Sequence, residues 1–151
     1  HEFAGERVGF VIGAWEPDAG QTELVLLSEY EPVSELDYID DPKVVVRIGS
    51  NAIRNAMQIA LDGTASNRSI FHVHLHDFPG IPVPSRIDAR EIPPMVQSIS
   101  RVSPNIPHGF LILSSESLAA WACVSGKDEF VRCSCFVSGS PGILVPGDLR
   151  Q

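Results

Sequence analysis

The stretch FHVHLHDFPGIPVPSRID, Phe71 to Asp88, places three imidazoles on alternate positions, His72, His74 and His76, and follows them with Ser85 and Asp88. Imidazole is both a metal ligand and a proton carrier near neutral pH. On an extended chain, residues i and i+2 leave from the same side, so His74 and His76 can turn both rings to one point. His72 lies on that face too, one pair further back. A metal needs a third ligand, usually from another element, and Asp88 can supply it from the first turn of a helix that Ser85 opens. Two imidazoles, one carboxylate and an open fourth position are the donor set of a catalytic zinc ion, whose water becomes a nucleophile near neutral pH.

Each piece also has a plainer reading. Ser85-Arg-Ile-Asp88 resembles a capping box, with Ser85 as N-cap and Asp88 in the first turn, where the helix dipole favours a carboxylate. A His-x-His pair alone is more often a half-exposed pair on a strand than a metal site. The combination favours the metal.

The elements that must carry these residues can be read in outline. RVGFVIGAW (Arg7–Trp15), with Gly9 and Gly13 along it, and ELVLLSEY (Glu23–Tyr30) read as two strands joined by the turn-rich EPDAGQ. The acidic stretch from Ser28 to Pro42 reads as loop, and KVVVRI (Lys43–Ile48) as a short strand. SNAIRNAMQIALDG (Ser50–Gly63) has Ile53, Met57, Ala60 and Leu61 at helical spacing, a cap at Ser50 or Asn51, and a stop at Gly63. SIFHVHL (Ser69–Leu75) is a strand, and the three prolines and glycine of DFPGIPVP make a rigid loop. A helix begins at Ser85, is interrupted at Pro93-Pro94, and resumes. GFLILS, LAAWACV and EFVRCSCFV are three late strands. This order predicts an α/β or α+β domain over residues 1–137, with a mixed central sheet flanked by helices, and a C-terminal tail over 138–151.

Composition limits the possible partners. The chain has 151 residues, enough for one domain with a core, and 44% are hydrophobic. The net charge is −8, and the 11 basic residues are scattered. That argues against nucleic acid, whose binding rests on neutralising phosphates, and favours a basic peptide tail. No apolar run approaches a membrane span. The opening HEFAGERVGF has no basic n-region and apolar h-region, so no signal peptide is expected. It also lacks an initiator Met, so His1–Phe3 is either a cloning remnant or part of a longer chain. Three cysteines, Cys123, Cys133 and Cys135, are an odd count and suggest a reducing cytoplasmic setting. Cys133 and Cys135 read as two small buried side chains on one face of a strand rather than as half a zinc site.

His74-Leu-His76, Ser85 and Asp88 reproduce the spacing H-x-H-x(8)-S-x-x-D. This resembles the signature of the JAMM metalloproteases, the JAB or MPN-plus domain. Shifted to begin at His72, the pattern fails, since Val83 and Arg86 fall on the serine and aspartate positions. Glu6, three residues before Gly9, matches the family's E-x-x-G. The resemblance runs from Glu6 to about Val137. It departs at Leu75 and Asp77, where the family often has serine and proline, which is the pattern of a divergent prokaryotic, bacterial branch. The family's helix before the glutamate strand is missing or truncated.

The resemblance implies a compact JAMM-type zinc metallopeptidase, a deubiquitinase-like hydrolase. One zinc ion per chain would be held by His74, His76 and Asp88, leaving His72 outside the ligand set. Glu6 would be the general acid/base and Ser85 the oxyanion donor. The implied reaction is hydrolysis of the peptide or isopeptide bond after the C-terminal glycine of a ubiquitin-like protein or its conjugates, with E1-like and E2-like proteins as companions. A processing peptidase for a sulfur carrier and a non-catalytic MPN scaffold are the alternatives.

Overall fold

The computed structural model describes residues 6–17, 23–44, 46–123, 129–134, 136–139 and 143–146. The fold is α+β: a mixed six-stranded sheet with two helices. Strands β1 (Val8–Pro17), β2 (Glu23–Pro32), β3 (Arg68–Leu75), β4 (His108–Leu113), β5 (Leu118–Cys123) and β6 (Phe130–Cys133) lie in the order β2-β1-β3-β4-β5-β6. Only β3 and β4 are parallel. Antiparallel neighbours need only a turn, but a parallel pair needs a crossover, and helix α2 (Arg86–Val102) provides it. Among the described residues no helix is long and apolar enough to cross a membrane.

Both helices pack on one face of the sheet. Phe10, His72 and Phe110 are register partners across β1, β3 and β4, so they share a face. Phe10 joins the cluster built on helix α1 (Ser50–Asp62), and Phe110 joins the cluster built on α2. The other face is apolar as well, with Phe71, Val73, Leu111, Ala120 and Ala122 buried on it. Two glycines on β1 are set by close approach. A Cβ at Gly13 would lie 2.2 Å from the Leu26 carbonyl oxygen, at the point where the β1–β2 register shifts. A Cβ at Gly9 would meet the Tyr30 ring at 2.5 Å.

Several expectations need correction. Lys43–Ile48 forms no strand among its described residues; only Ile48 bridges, to Tyr38. Helix α1 is capped by Gly49, not by Ser50 or Asn51, because the Gly49 N–H is drawn to the Asp37 carbonyl at 2.6 Å. Its innermost stripe is Ala52, Ala56 and Ala60, while Leu61 is exposed. Small side chains let the helix approach the sheet more closely than the larger residues on the neighbouring stripe would. Pro93-Pro94 does not interrupt α2, which runs through both. The carbonyls left without donors belong to exposed Ala89 and Arg90, where water can satisfy them. Ile92, Val96 and Ile99 anchor both halves to the core, offsetting a proline cost of about 3 kcal/mol each. The last expected strand ends at Cys133. A separate pair follows, β7 (Phe136–Gly139) with β8 (Ile143–Pro146), so the stretch read as tail carries strand residues. The EPDAGQ turn lies partly, and Cys135 wholly, outside the described residues.

Candidate metal centre

Strand β3 delivers the histidines as the period-2 rule requires. Rings follow one another along its helix-covered face: Phe10 to His72 at 5.6 Å between centroids, His72 to His74 at 5.7 Å, His74 to His76 at 4.7 Å, and His76 to Phe78 at 5.2 Å. All three histidines are buried. At the far end of the column the Nε2 atoms of His74 and His76 are 2.9 Å apart. Two such nitrogens approach this closely when one donates its hydrogen to the other or when both turn lone pairs to a common cation.

The carboxylate arrives from the start of α2. Ser85 caps the helix: its Oγ accepts the Asp88 N–H at 3.2 Å, and Asp88 Oδ2 accepts the Ser85 N–H at 2.7 Å. This capping box aims Asp88 at the histidines. Its Oδ2 lies 3.3 Å from His76 Nε2 and its Oδ1 lies 3.6 Å from His74 Nε2. Donors held 2.0–2.2 Å from one tetrahedral ion stand roughly 3.3–3.6 Å apart. The two carboxylate–imidazole distances fall in that range, and the imidazole pair is a few tenths of an ångström tighter.

Glu6 approaches from the strand entrance just before β1. One ligand atom from each of Glu6, His74 and His76 lies within 4.8 Å of the others, so this His/Glu group could hold a metal ion. The site therefore has a second carboxylate close to the imidazoles, alongside Asp88. Glu6 and Asp88 thus both approach the His74–His76 pair, and Ser85 holds Asp88 from behind. Glu2, the other acidic residue ahead of β1, lies outside the described residues.

The two carboxyls are tuned apart. Burial pushes the Glu6 carboxyl up; His74 and His76 oppose this, and Asp88 adds to it. Burial would also raise Asp88, but the His74 ring and the Ser85 hydroxyl and N–H outweigh it and hold that carboxyl well below the usual range. Separated carboxyls of this kind suit one ionised holder of charge and one group able to take and return a proton.

His72 does not join the cluster. It is buried beside Phe10, and burial, then the neighbouring His74, lowers its pKa to about 3, so it is neutral. It hydrogen-bonds the Gly9 backbone, and its Nδ1 has no partner among the described residues. Cys123 and Cys133 lie away from the site. Cys123 packs on the helix-covered face and Cys133 against the opposite one. Burial pushes the Cys133 thiol up, which disfavours the thiolate a metal needs.

Three acids of the Ser28–Pro42 stretch are engaged within the chain: Glu29 with Arg68, Glu35 with Arg7 and Asp41 with Arg47. The 34–38 segment, missed as a functional element in the sequence, packs against the Glu6 end of β1: the Tyr38 hydroxyl accepts the Val8 N–H at 3.2 Å and donates to the Val8 carbonyl at 3.3 Å. A tyrosine in an acidic stretch carries no signal of this in the sequence. No protein-family model matches the chain. No curated protein matches it either.

Proposed function

We propose that the chain is a zinc-dependent peptidase of JAMM type, which hydrolyses the peptide or isopeptide bond after the C-terminal glycine of a ubiquitin-like protein. The observation that carries this reading is convergence: Glu6 and Asp88, from two separate segments, both approach the His74–His76 pair on β3. Glu6 brings a ligand atom within 4.8 Å of both imidazoles, and Asp88 stands 3.6 Å from His74 and 3.3 Å from His76. His74, His76 and Asp88 would hold the zinc, and the ion supplies Lewis acidity, which polarises a carbonyl and acidifies a water. Glu6 takes the proton of the attacking water and returns it to the leaving nitrogen; its raised carboxyl suits both steps. Ser85 uses an Oγ lone pair and its N–H in the helix cap. Its O–H hydrogen is left to meet the oxyanion that grows on the scissile carbonyl. The substrate class rests on the family resemblance.

The test is direct. The zinc-loaded chain is incubated with a ubiquitin-like protein fused through its terminal glycine to a reporter, either linearly or through a lysine side chain. Cleavage that stops on chelation and returns with zinc is expected. A zinc-loaded chain that cleaves neither fusion sinks the reading.

A further inference from the structure

We propose that Tyr38 is the positioning residue for Glu6, a role that rests on the peptidase reading above. Strand β1 is paired on its outer side only as far as Gly9, which faces Pro32, the last residue of β2. One residue earlier, Val8 has lost its strand neighbour on that side just where the chain must present Glu6. The Tyr38 hydroxyl fills the gap, taking the Val8 N–H and giving its own hydrogen to the Val8 carbonyl. The Val8 carbonyl also accepts the Val33 N–H at 3.4 Å. On its inner side Val8 pairs with His74. One residue of backbone is thus gripped between Tyr38 and the strand that carries the histidines, two positions from Glu6.

Tyr38 is well placed for this task because it is itself fixed. It is 8% exposed and belongs to the α1 core cluster. Its segment is tied to the lead-in of α1 by Ile39 N–H to the Arg47 carbonyl at 2.9 Å and Gly49 N–H to the Asp37 carbonyl at 2.6 Å. The Arg7 guanidinium lies 5.9 Å above the Tyr38 ring and pairs with Glu35. Glu6 sits in a bend outside regular structure, so its carboxylate depends on these contacts to stay opposite His74 and His76. A buried hydroxyl that both accepts and donates at one residue fixes translation along the strand as well as distance, which is what a proton-transfer group needs.

The test substitutes Tyr38→Phe, which keeps the buried ring and removes only the hydroxyl, and reads four quantities beside wild type and Glu6→Gln. Zinc stoichiometry should stay at the wild-type value. Exchange of the Val8 amide hydrogen should quicken by at least ~10-fold. The kcat for the glycine-linked fusion should fall by about 10–100-fold with KM within about 2-fold. With Co2+ in place of zinc, the visible spectrum should move from wild type in the direction that Glu6→Gln moves it. Faster Val8 exchange with unchanged kcat and unchanged cobalt spectrum makes Tyr38 a structural residue only and overturns the proposal. If the wild type cleaves no fusion, the peptidase reading fails by itself. The cobalt spectrum then decides the clamp: a shift in the Glu6→Gln direction supports it and no shift overturns it. Should Tyr38→Phe fail to fold, exposed Glu35→Gln, which weakens the Arg7–Glu35 pair beside Tyr38, must move the Val8 exchange and the cobalt spectrum in the same directions; if neither moves, the clamp is overturned.

Discussion

Asp88 Oδ2 accepts the N–H of Ser85 at 2.7 Å and, from the same position, faces His76 Nε2 at 3.3 Å. One carboxylate oxygen thus both caps the helix and faces the imidazole. The capping-box and metal-ligand readings of Ser85-Arg-Ile-Asp88 are compatible, because the cap holds the carboxylate in place for the histidines.

Separating the two jobs of Asp88 is the first prediction. Asp88→Asn keeps an oxygen for the Ser85 N–H and loses the charge, so it should keep the wild-type urea midpoint and bind zinc at least ~10-fold more weakly. Asp88→Ala loses both and should also cost about 1 kcal/mol of stability. Equal zinc affinity in wild type and Asp88→Asn would remove Asp88 from the ligand set.

The second prediction separates the histidines. Elemental analysis should find one zinc per chain in wild type, none retained in His76→Ala, and wild-type content in His72→Phe, where a ring of similar size still packs beside Phe10. Loss of zinc in His72→Phe but not in His76→Ala would shift the site one pair back along β3.

Glu6 is the third. Glu6→Gln should keep its zinc and lose kcat by about 10²–10⁴-fold, since the proton carrier is gone while the imidazoles and Asp88 are intact. Because Glu6 also lies within ligand reach of both imidazoles, loss of zinc in this variant would make it a ligand, and unchanged turnover would exclude it from the chemistry.

The fourth concerns His108, far from the proposed chemistry. It is fully buried; its Nδ1 accepts the Ile70 N–H at 3.1 Å, and its Nε2 is left without a side-chain partner. Burial lowers its pKa from 6.5 to about 4. The folded chain therefore keeps His108 neutral where the unfolded chain takes up a proton. Its contribution to stability is complete above pH 6.5 and falls away as the pH drops toward 4, by up to ~3 kcal/mol. His72 acts in the same direction. Urea midpoints measured from pH 4 to 7 should rise with pH, and His108→Asn should flatten the slope. An unchanged slope in that variant would show that His108 does not titrate in this window.

The sequence by itself determined which side chains can share a site on β3 and α2, because that depends on residue type and short spacing. Alternation on one strand puts His74 and His76 on one side, and a serine three residues before an aspartate starts a helix with its carboxylate inward. Both follow from local geometry, as does the order of strands and helices around them, apart from the expected Lys43–Ile48 strand and the late β7–β8 pair. What only the tertiary structure decided depends on distant partners. The approach of Glu6 to the imidazoles requires β1 to lie antiparallel beside β3, a pairing between residues some sixty positions apart. The stripe that α1 buries was set by the sheet it lies on, which admits Ala52, Ala56 and Ala60 and turns Leu61 outward. The continuity of α2 through Pro93-Pro94 was set by apolar anchors on both sides of the prolines and by the exposure of Ala89 and Arg90, whose carbonyls lose their donors. Tyr38 was the least legible: its hydroxyl matters because β2 ends at Pro32, and a missing strand partner is visible only once the sheet is assembled.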